Sequence, residues 1–210
     1  MNMGLATTSP MTAYWDDAHQ NRIRGALSGH PLSAHVQFLR FNLAPAGHAL
    51  CIGVGMGDWI RDLAGHHWGV SSLDISPEGL KRVADLGDTY LPGDPLPKDT
   101  FDLAISHWVS PHMMPADFAA QLANVVPALK KYGAFAVHYN EPLDRPKRQM
   151  PDDPIARTKF LGGGGVEYSR EEFVRMVEQA GGRIVKCAQE MPSPQFGKLL
   201  VGMHVGRNDR

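Results

Sequence analysis

Three glycines at alternate positions, Gly53, Gly55 and Gly57, carry the clearest chemical signal in this sequence. They follow the apolar run Ala49–Ile52 and precede the helical stretch Trp59–Ala64. A strand that turns through glycines into a helix leaves backbone N–H groups pointing outward at the helix start. With no Cβ in the way, a nucleotide-like ligand approaches that backbone closely. The same glycines are also compatible with an ordinary tight turn. An acid, Asp74, closes the next strand-like run, Trp68–Leu73, and a carboxylate at a strand end accepts both hydroxyls of a ribose. Its other reading, a helix cap, is better filled by Ser76 in Ser76-Pro-Glu78. Of ten histidines, His107, His112 and His138 lie at or near strand ends on one edge. An imidazole with an unperturbed pKa of about 6.5 suits proton transfer there, though each is also compatible with a structural role. His66 and His67 fall at the far end of a helix, and two adjacent histidines do not make a metal site, so no metal is expected.

These residues need elements to position them. Residues 1–10 read as loose, and Met11 to Leu43 as mostly helical with an interruption near Gly29-His-Pro31. Pro31 suits the first turn of a second helix, with Val36, Leu39 and Phe41 facing inward. Ala44–Gly47 then breaks the helix and delivers the chain to the first strand. Ser76-Pro-Glu78 starts a helix to about Leu86, Thr89–Leu91 is a short third strand and Phe101–Ser106 a fourth. Phe118–Lys131 is amphipathic, with Lys130 and Lys131 at its C-terminus where the helix dipole favours cations. Ala134–Tyr139 is a fifth strand. From Asn140 to Tyr168 four prolines and the run Gly162–Gly165 predict a long mobile loop. Ser169-Arg-Glu-Glu172 is a capping box opening a helix to about Ala180. The runs Arg183–Ala188 and Leu199–Val205 are too closely linked for a crossover helix and are expected to pair antiparallel. Strand and helix alternate, which predicts an α/β, doubly wound, mostly parallel sheet.

The chain is expected to form one domain of 210 residues. It divides into a helical cap over 1–45, a binding core over 46–139, an acceptor loop over 140–168 and a closing unit over 169–210. A formal net charge of −1 provides no global field for nucleic acid or an anionic membrane. Two cysteines make no disulfide framework, and neither a membrane span nor a signal peptide is evident, so a soluble, cytoplasmic protein is expected.

Taken in order, the motifs resemble those of the S-adenosylmethionine-dependent methyltransferases with the Rossmann-like fold, over roughly Ala49 to Val205. Gly53-Val-Gly-Met-Gly57 resembles the family's first motif, Leu73-Asp-Ile-Ser-Pro77 its second, Gly93-Asp94 its third and Phe101–Ser106 its fourth. Leu129-Lys-Lys-Tyr-Gly133 resembles its turn into strand five. The resemblance implies seven strands with the last pair antiparallel, and S-adenosylmethionine as cofactor. Gly53, Val54, Gly55 and Gly57 would then pass beside the methionine part of the cofactor. Asp74 would hold the ribose, Asp94 the adenine amino group, and Ile75 or Leu96 would pack on the base. Ser106 and Trp108 stand where ligands bind in such folds, and Tyr14 and Trp15 are placed to close over the cofactor from the N-terminal helix or equally to form a hydrophobic staple for it. His112, His107 and His138 are the candidate general bases. One departure is Cys51, where the family usually carries an acid that anchors the cofactor's ammonium group; a thiol makes no such charge-assisted bond.

The expected reaction is methyl transfer to oxygen, or next to nitrogen, of a small molecule. The basic run Arg145, Lys147, Arg148, Arg157 and Lys159 suggests an anionic acceptor, or else a solvated charge run balanced by Asp144, Asp152 and Asp153. Two alternatives stand beside it: a non-catalytic cofactor-binding module, and a nicotinamide dehydrogenase. The dinucleotide fingerprint of the latter wants glycine where Asp58 stands. Nucleic acid as substrate is not expected, because Ser106-His-Trp-Val-Ser-Pro111 lacks an Asn-Pro-Pro-Tyr type motif.

Overall fold

Ala49, Leu50, Cys51 and Ile52 have no solvent exposure, so the first strand, β1 (His48–Ile52), is covered on both faces. This is what its unbroken apolar run requires. Leu50 and Ile52 pack with Phe118, Leu122, Val125 and Phe135 on one face, whereas Ala49 and Cys51 pack with Trp59, Ile60 and Leu63 on the other. The computed structural model describes residues 10–21, 47–106, 108–143, 145–193 and 197–208. The expected second N-terminal helix with Val36, Leu39 and Phe41 lies outside the described residues, as do His107 and Asp144.

In chain order the elements are α1 (Pro10–Gln20), β1, α2 (Asp58–Gly65), β2 (Gly69–Leu73), α3 (Pro77–Lys81), β3 (Thr89–Tyr90), β4 (Phe101–Ser106) and a 3-10 turn at Ser110–His112. They continue with α4 (Pro115–Ala128), β5 (Leu129–Pro142), α5 (Pro154–Gly162), α6 (Arg170–Gln179), β6 (Gly182–Ser193) and β7 (Lys198–Arg207). The seven strands form one sheet in the order β3-β2-β1-β4-β5-β7-β6. The first five are parallel, and β7 runs antiparallel to both β5 and β6. The doubly wound, seven-stranded Rossmann-like arrangement is therefore the one expected, with the reversed strand inserted beside the fifth.

Two expectations are corrected. The helix before β5 ends at Ala128, not Lys131: Pro127 interrupts it and Leu129 is already extended, at φ −68° and ψ 141°. Lys130 consequently lies in β5 and meets Asp102 at 2.8 Å instead of a helix terminus. The segment 140–168 is not one long loop. β5 runs on to Pro142, and α5 forms with Pro154 at its first turn and Asp153 accepting the Ala156 N–H at 2.7 Å. Proline there breaks nothing, because its missing N–H would have had no helical partner. The rest of the segment is tied down by Glu167, 1% exposed, which accepts from both Arg145 and Arg148.

Candidate active site

The carboxyl ends of β1 and β2 and the segment after β4 open into a cavity of about 740 Å³. The turn after β1 forms one wall. Its glycines all have positive φ, 81° at Gly53, 55° at Gly55 and 85° at Gly57, a backbone that side-chain-bearing residues rarely adopt. Gly53 is doubly constrained, since a Cβ there would lie 2.2 Å from Cγ2 of Val109. Gly57 is the N-cap of α2 and brings no side chain to the N–H groups of its first turn.

Asp74, 8% exposed, lines the same cavity. Its Oδ2 accepts the Val54 N–H at 2.6 Å and its Oδ1 the Ser76 N–H at 2.8 Å, so one carboxylate braces the glycine turn and the start of α3. Each oxygen keeps lone-pair capacity for a further donor. Burial pushes its pKa up to about 6; the Ser76 and Val54 N–H groups pull the other way and Asp16 adds to the rise. Capping of α3 falls to Ser76, whose hydroxyl oxygen accepts the Gly79 N–H at 3.0 Å.

Helix α1 closes the cavity from above β2. The Ser76 hydroxyl donates to Asp16 at 2.5 Å, and Arg82 donates to the His19 carbonyl at 2.7 Å. This docking puts Met11, Trp15 and His19 into the cavity wall. Beyond β4, Trp108 adopts φ 61°, a strained conformation for a bulky residue that commonly marks functional positions. It too lines the cavity.

His112 ends the following 3-10 turn, with its ring edge-on to Trp15 at 5.2 Å between centroids. Its Nδ1 lies 2.7 Å from the Leu161 carbonyl of α5. A carbonyl only accepts, so Nδ1 carries the proton and Nε2 keeps a lone pair. Burial lowers the pKa of this imidazole, outweighing the opposing Leu161 bond, and keeps it uncharged at neutral pH. Gly164 makes room beside the ring: a Cβ there would be 3.3 Å from Cε1 and 3.6 Å from Nε2.

The expected site residues divide accordingly. Trp15, Gly53, Gly55, Asp74, Ile75 and His112 line one cavity. Val54 and Gly57 belong to the turn beneath it, and Leu96 is in the core with its N–H 3.3 Å from Asn124 Oδ1. Ser106 is fully buried at the end of β4, and its hydroxyl has no hydrogen-bond partner among the described residues. Asp94 departs from its expected place: exposed, it turns its carboxylate back on the Leu91 N–H at 2.7 Å and closes its own turn. His138 departs as well, enclosed within β5 at 1% exposure and stacked 6.3 Å from Trp108, outside the cavity lining. His107 lies outside the described residues. Sequence reasoning missed the methionine wall (Met11, Met56, Met113, Met114) and the face of α4 that presents Asp117, Gln121 and Asn124. A signal for Gln121 was present, because it occupies a position of the helix stripe, with Phe118, Leu122 and Val125, where an apolar residue is expected. No group of three or more metal-ligating side chains gathers among the described residues, and no described helix is long and apolar enough to cross a membrane.

Residues 50–137 match the model of a methyltransferase domain. No curated protein matches the chain. Among solved structures, the 1,6-didemethyltoxoflavin-N1-methyltransferase of Burkholderia thailandensis, with bound 1,6-didemethyltoxoflavin and S-adenosylhomocysteine, is 17% identical. It superposes with a TM-score of 0.67 over 100% of this chain and 94% of that one. A TehB-like S-adenosylmethionine-dependent methyltransferase from Corynebacterium glutamicum gives 17% identity and a TM-score of 0.63 over 93% and 99% of the two chains. A Rhodobacter sphaeroides protein provisionally described as a zinc-dependent alcohol dehydrogenase gives 12% and 0.67 over 96% and 99%. At such identities the likeness establishes the fold, and the chemistry must come from the site.

Proposed function

We infer that this chain, which carries the Rossmann-like domain of the S-adenosylmethionine-dependent methyltransferases, moves a methyl group to oxygen, or next to nitrogen, of a small apolar molecule. One observation carries the reading: the cavity lined by the glycine turn and Asp74 is also lined by His112, an uncharged imidazole with a free lone pair.

The residues present fit the cofactor. Asp74 has acceptor capacity for the ribose hydroxyls, Gly53 and Gly55 offer bare backbone to the methionine part, and Ile75 an apolar face to the base. Cys51 supplies no charge to the ammonium group, since its side chain packs under α2 on the other face of the sheet and burial pushes its thiol pKa far up. Bound there, the cofactor supplies a methyl carbon already activated by its sulfonium. The protein's part is to position the acceptor and exclude water. Trp15, Trp108 and the methionines enclose it, and His112 Nε2 takes the proton that an alcohol or phenol releases.

An uncharged acceptor is favoured over the anionic one that the basic run suggested. Arg145 and Arg148 both donate to Glu167, and Lys147 to Glu172. Methionine walls adapt to apolar shapes. The test is turnover of S-adenosylmethionine with a panel of phenols, hydroxylated heterocycles, amines and carboxylic acids. Release of S-adenosylhomocysteine is expected with ring hydroxyls. Tight cofactor binding without product across the panel would favour the second reading, a binding module, which rests on Cys51 standing where the resembled family carries an acid.

A further inference from the structure

Helix α4 presents Asp117, Gln121 and Asn124 to the cavity at positions i, i+4 and i+7, so the three share one stripe. Asn124 is anchored at both ends of its amide: its NH₂ donates to the Asp94 carbonyl at 2.8 Å and its Oδ1 accepts the Leu96 N–H at 3.3 Å. These two bonds fix the C-terminal half of the stripe beside the segment after β3. Gln121, one turn earlier, is 9% exposed, and its Oε1 has no hydrogen-bond partner among the described residues. Phe118, Leu122 and Val125 around it are fully buried. An acceptor held among such neighbours without a donor destabilises the fold unless something else brings the donor.

We propose that Gln121 reads the edge of the cofactor's base, its Oε1 accepting from the exocyclic amino group of adenine. This rests on the cofactor reading above. The resemblance gave that task to Asp94, but Asp94 is exposed and outside the cavity lining, with one carboxylate oxygen turned back on the Leu91 N–H. If Asp74 holds the ribose, the base extends along the β2–β3 side, past Leu73 and Ile75, toward Gly93 and the segment that Asn124 pins. Gln121 lines the cavity one turn from Asn124, which is bonded to that segment.

Calorimetric titration tests it with S-adenosylhomocysteine and with the analogue whose 6-amino group is replaced by hydrogen. The wild type should favour the amino compound by roughly five- to tenfold, the worth of one hydrogen bond. In Q121M that preference should vanish because the amino compound alone weakens, while Q121E, which keeps an acceptor, should retain it. An unchanged preference in Q121M, or an equal loss for both ligands, overturns the proposal. Should Q121M fail to fold, Q121E with S-inosylhomocysteine decides. The wild-type amide accommodates a keto oxygen by turning its NH₂ toward it, whereas a carboxylate cannot, so equal binding of this ligand by Q121E and the wild type overturns the assignment. A wild type that binds no S-adenosylhomocysteine at all removes the cofactor reading and this proposal with it. Binding that discriminates equally in every variant removes only this proposal.

Discussion

His112 owes its tautomer to a carbonyl 49 residues further along the chain. The sequence offered the histidine but not that partner, because Leu161 reaches it only after α5 folds against the 3-10 turn. For His112→Ala we expect kcat to fall by about 10²–10⁴-fold with cofactor binding unchanged, the usual worth of a general base. Burial disfavours the imidazolium, so the wild-type rate should hold at neutral pH and fall only as pH drops below about 6.5. A rate profile flat through that region, or one lost in the alkaline direction, would contradict the role. Asp74 was legible because its message is local, an acid ending a strand. What the residue string could not show is that its oxygens already hold Val54 and Ser76. Raising this carboxyl from 3.8 to about 6 means that ionisation costs the unliganded fold about 3 kcal/mol relative to the unfolded chain. That stability is present below the unfolded pKa and is lost as pH rises through about 6. Between about pH 4 and 7 the melting temperature of Asp74→Asn should therefore gain on that of the wild type. Affinity for S-adenosylhomocysteine should move oppositely in the wild type, rising with pH as the carboxylate forms.

At the scale of elements, the alternation of strand and helix was legible because the parallel strands are short, largely apolar or buried runs between turn residues. The misreadings arose where one residue type serves two structures. Pro154 starts a helix and Pro127 ends one, and both resemble loop punctuation or helix continuation when only neighbours are visible. The glycine turn depends on another element too, since Val109, in the segment after β4, fills the space beside Gly53. Gly53→Ala should destabilise by about 2–5 kcal/mol, combining a disallowed φ with a clash. Adding Val109→Ala should return the clash component and leave the backbone component, so thermal denaturation of the double variant should fall between the two. Equal stability of single and double variants would show that the contact is not felt.

For the whole molecule, the cavity is closed by a helix that precedes the sheet in sequence and docks through polar contacts, the Ser76 hydroxyl and Glu78 N–H to Asp16 and Arg82 to the His19 carbonyl. Ligand binding should tighten this closure. S-adenosylhomocysteine at a hundredfold excess over its Kd should add about 2.7 kcal/mol, a rise in Tm of roughly 5–10 °C for a chain of this size. Asp16→Ala should weaken that affinity and speed amide exchange in α1 without melting the sheet. The sequence indicated a helix there and two aromatic residues on it, but not what they cover, because Asp16 and Ser76 meet 60 residues apart.

The two thiols of the chain occupy opposite worlds: Cys51 is sealed in the middle of the sheet and Cys187 stands open on its outermost strand. A chromogenic disulfide reagent should thus titrate one equivalent from the native protein at once. The second equivalent should appear only as fast as the molecule comes apart, giving an intrinsic clock for global opening that needs no label and no activity.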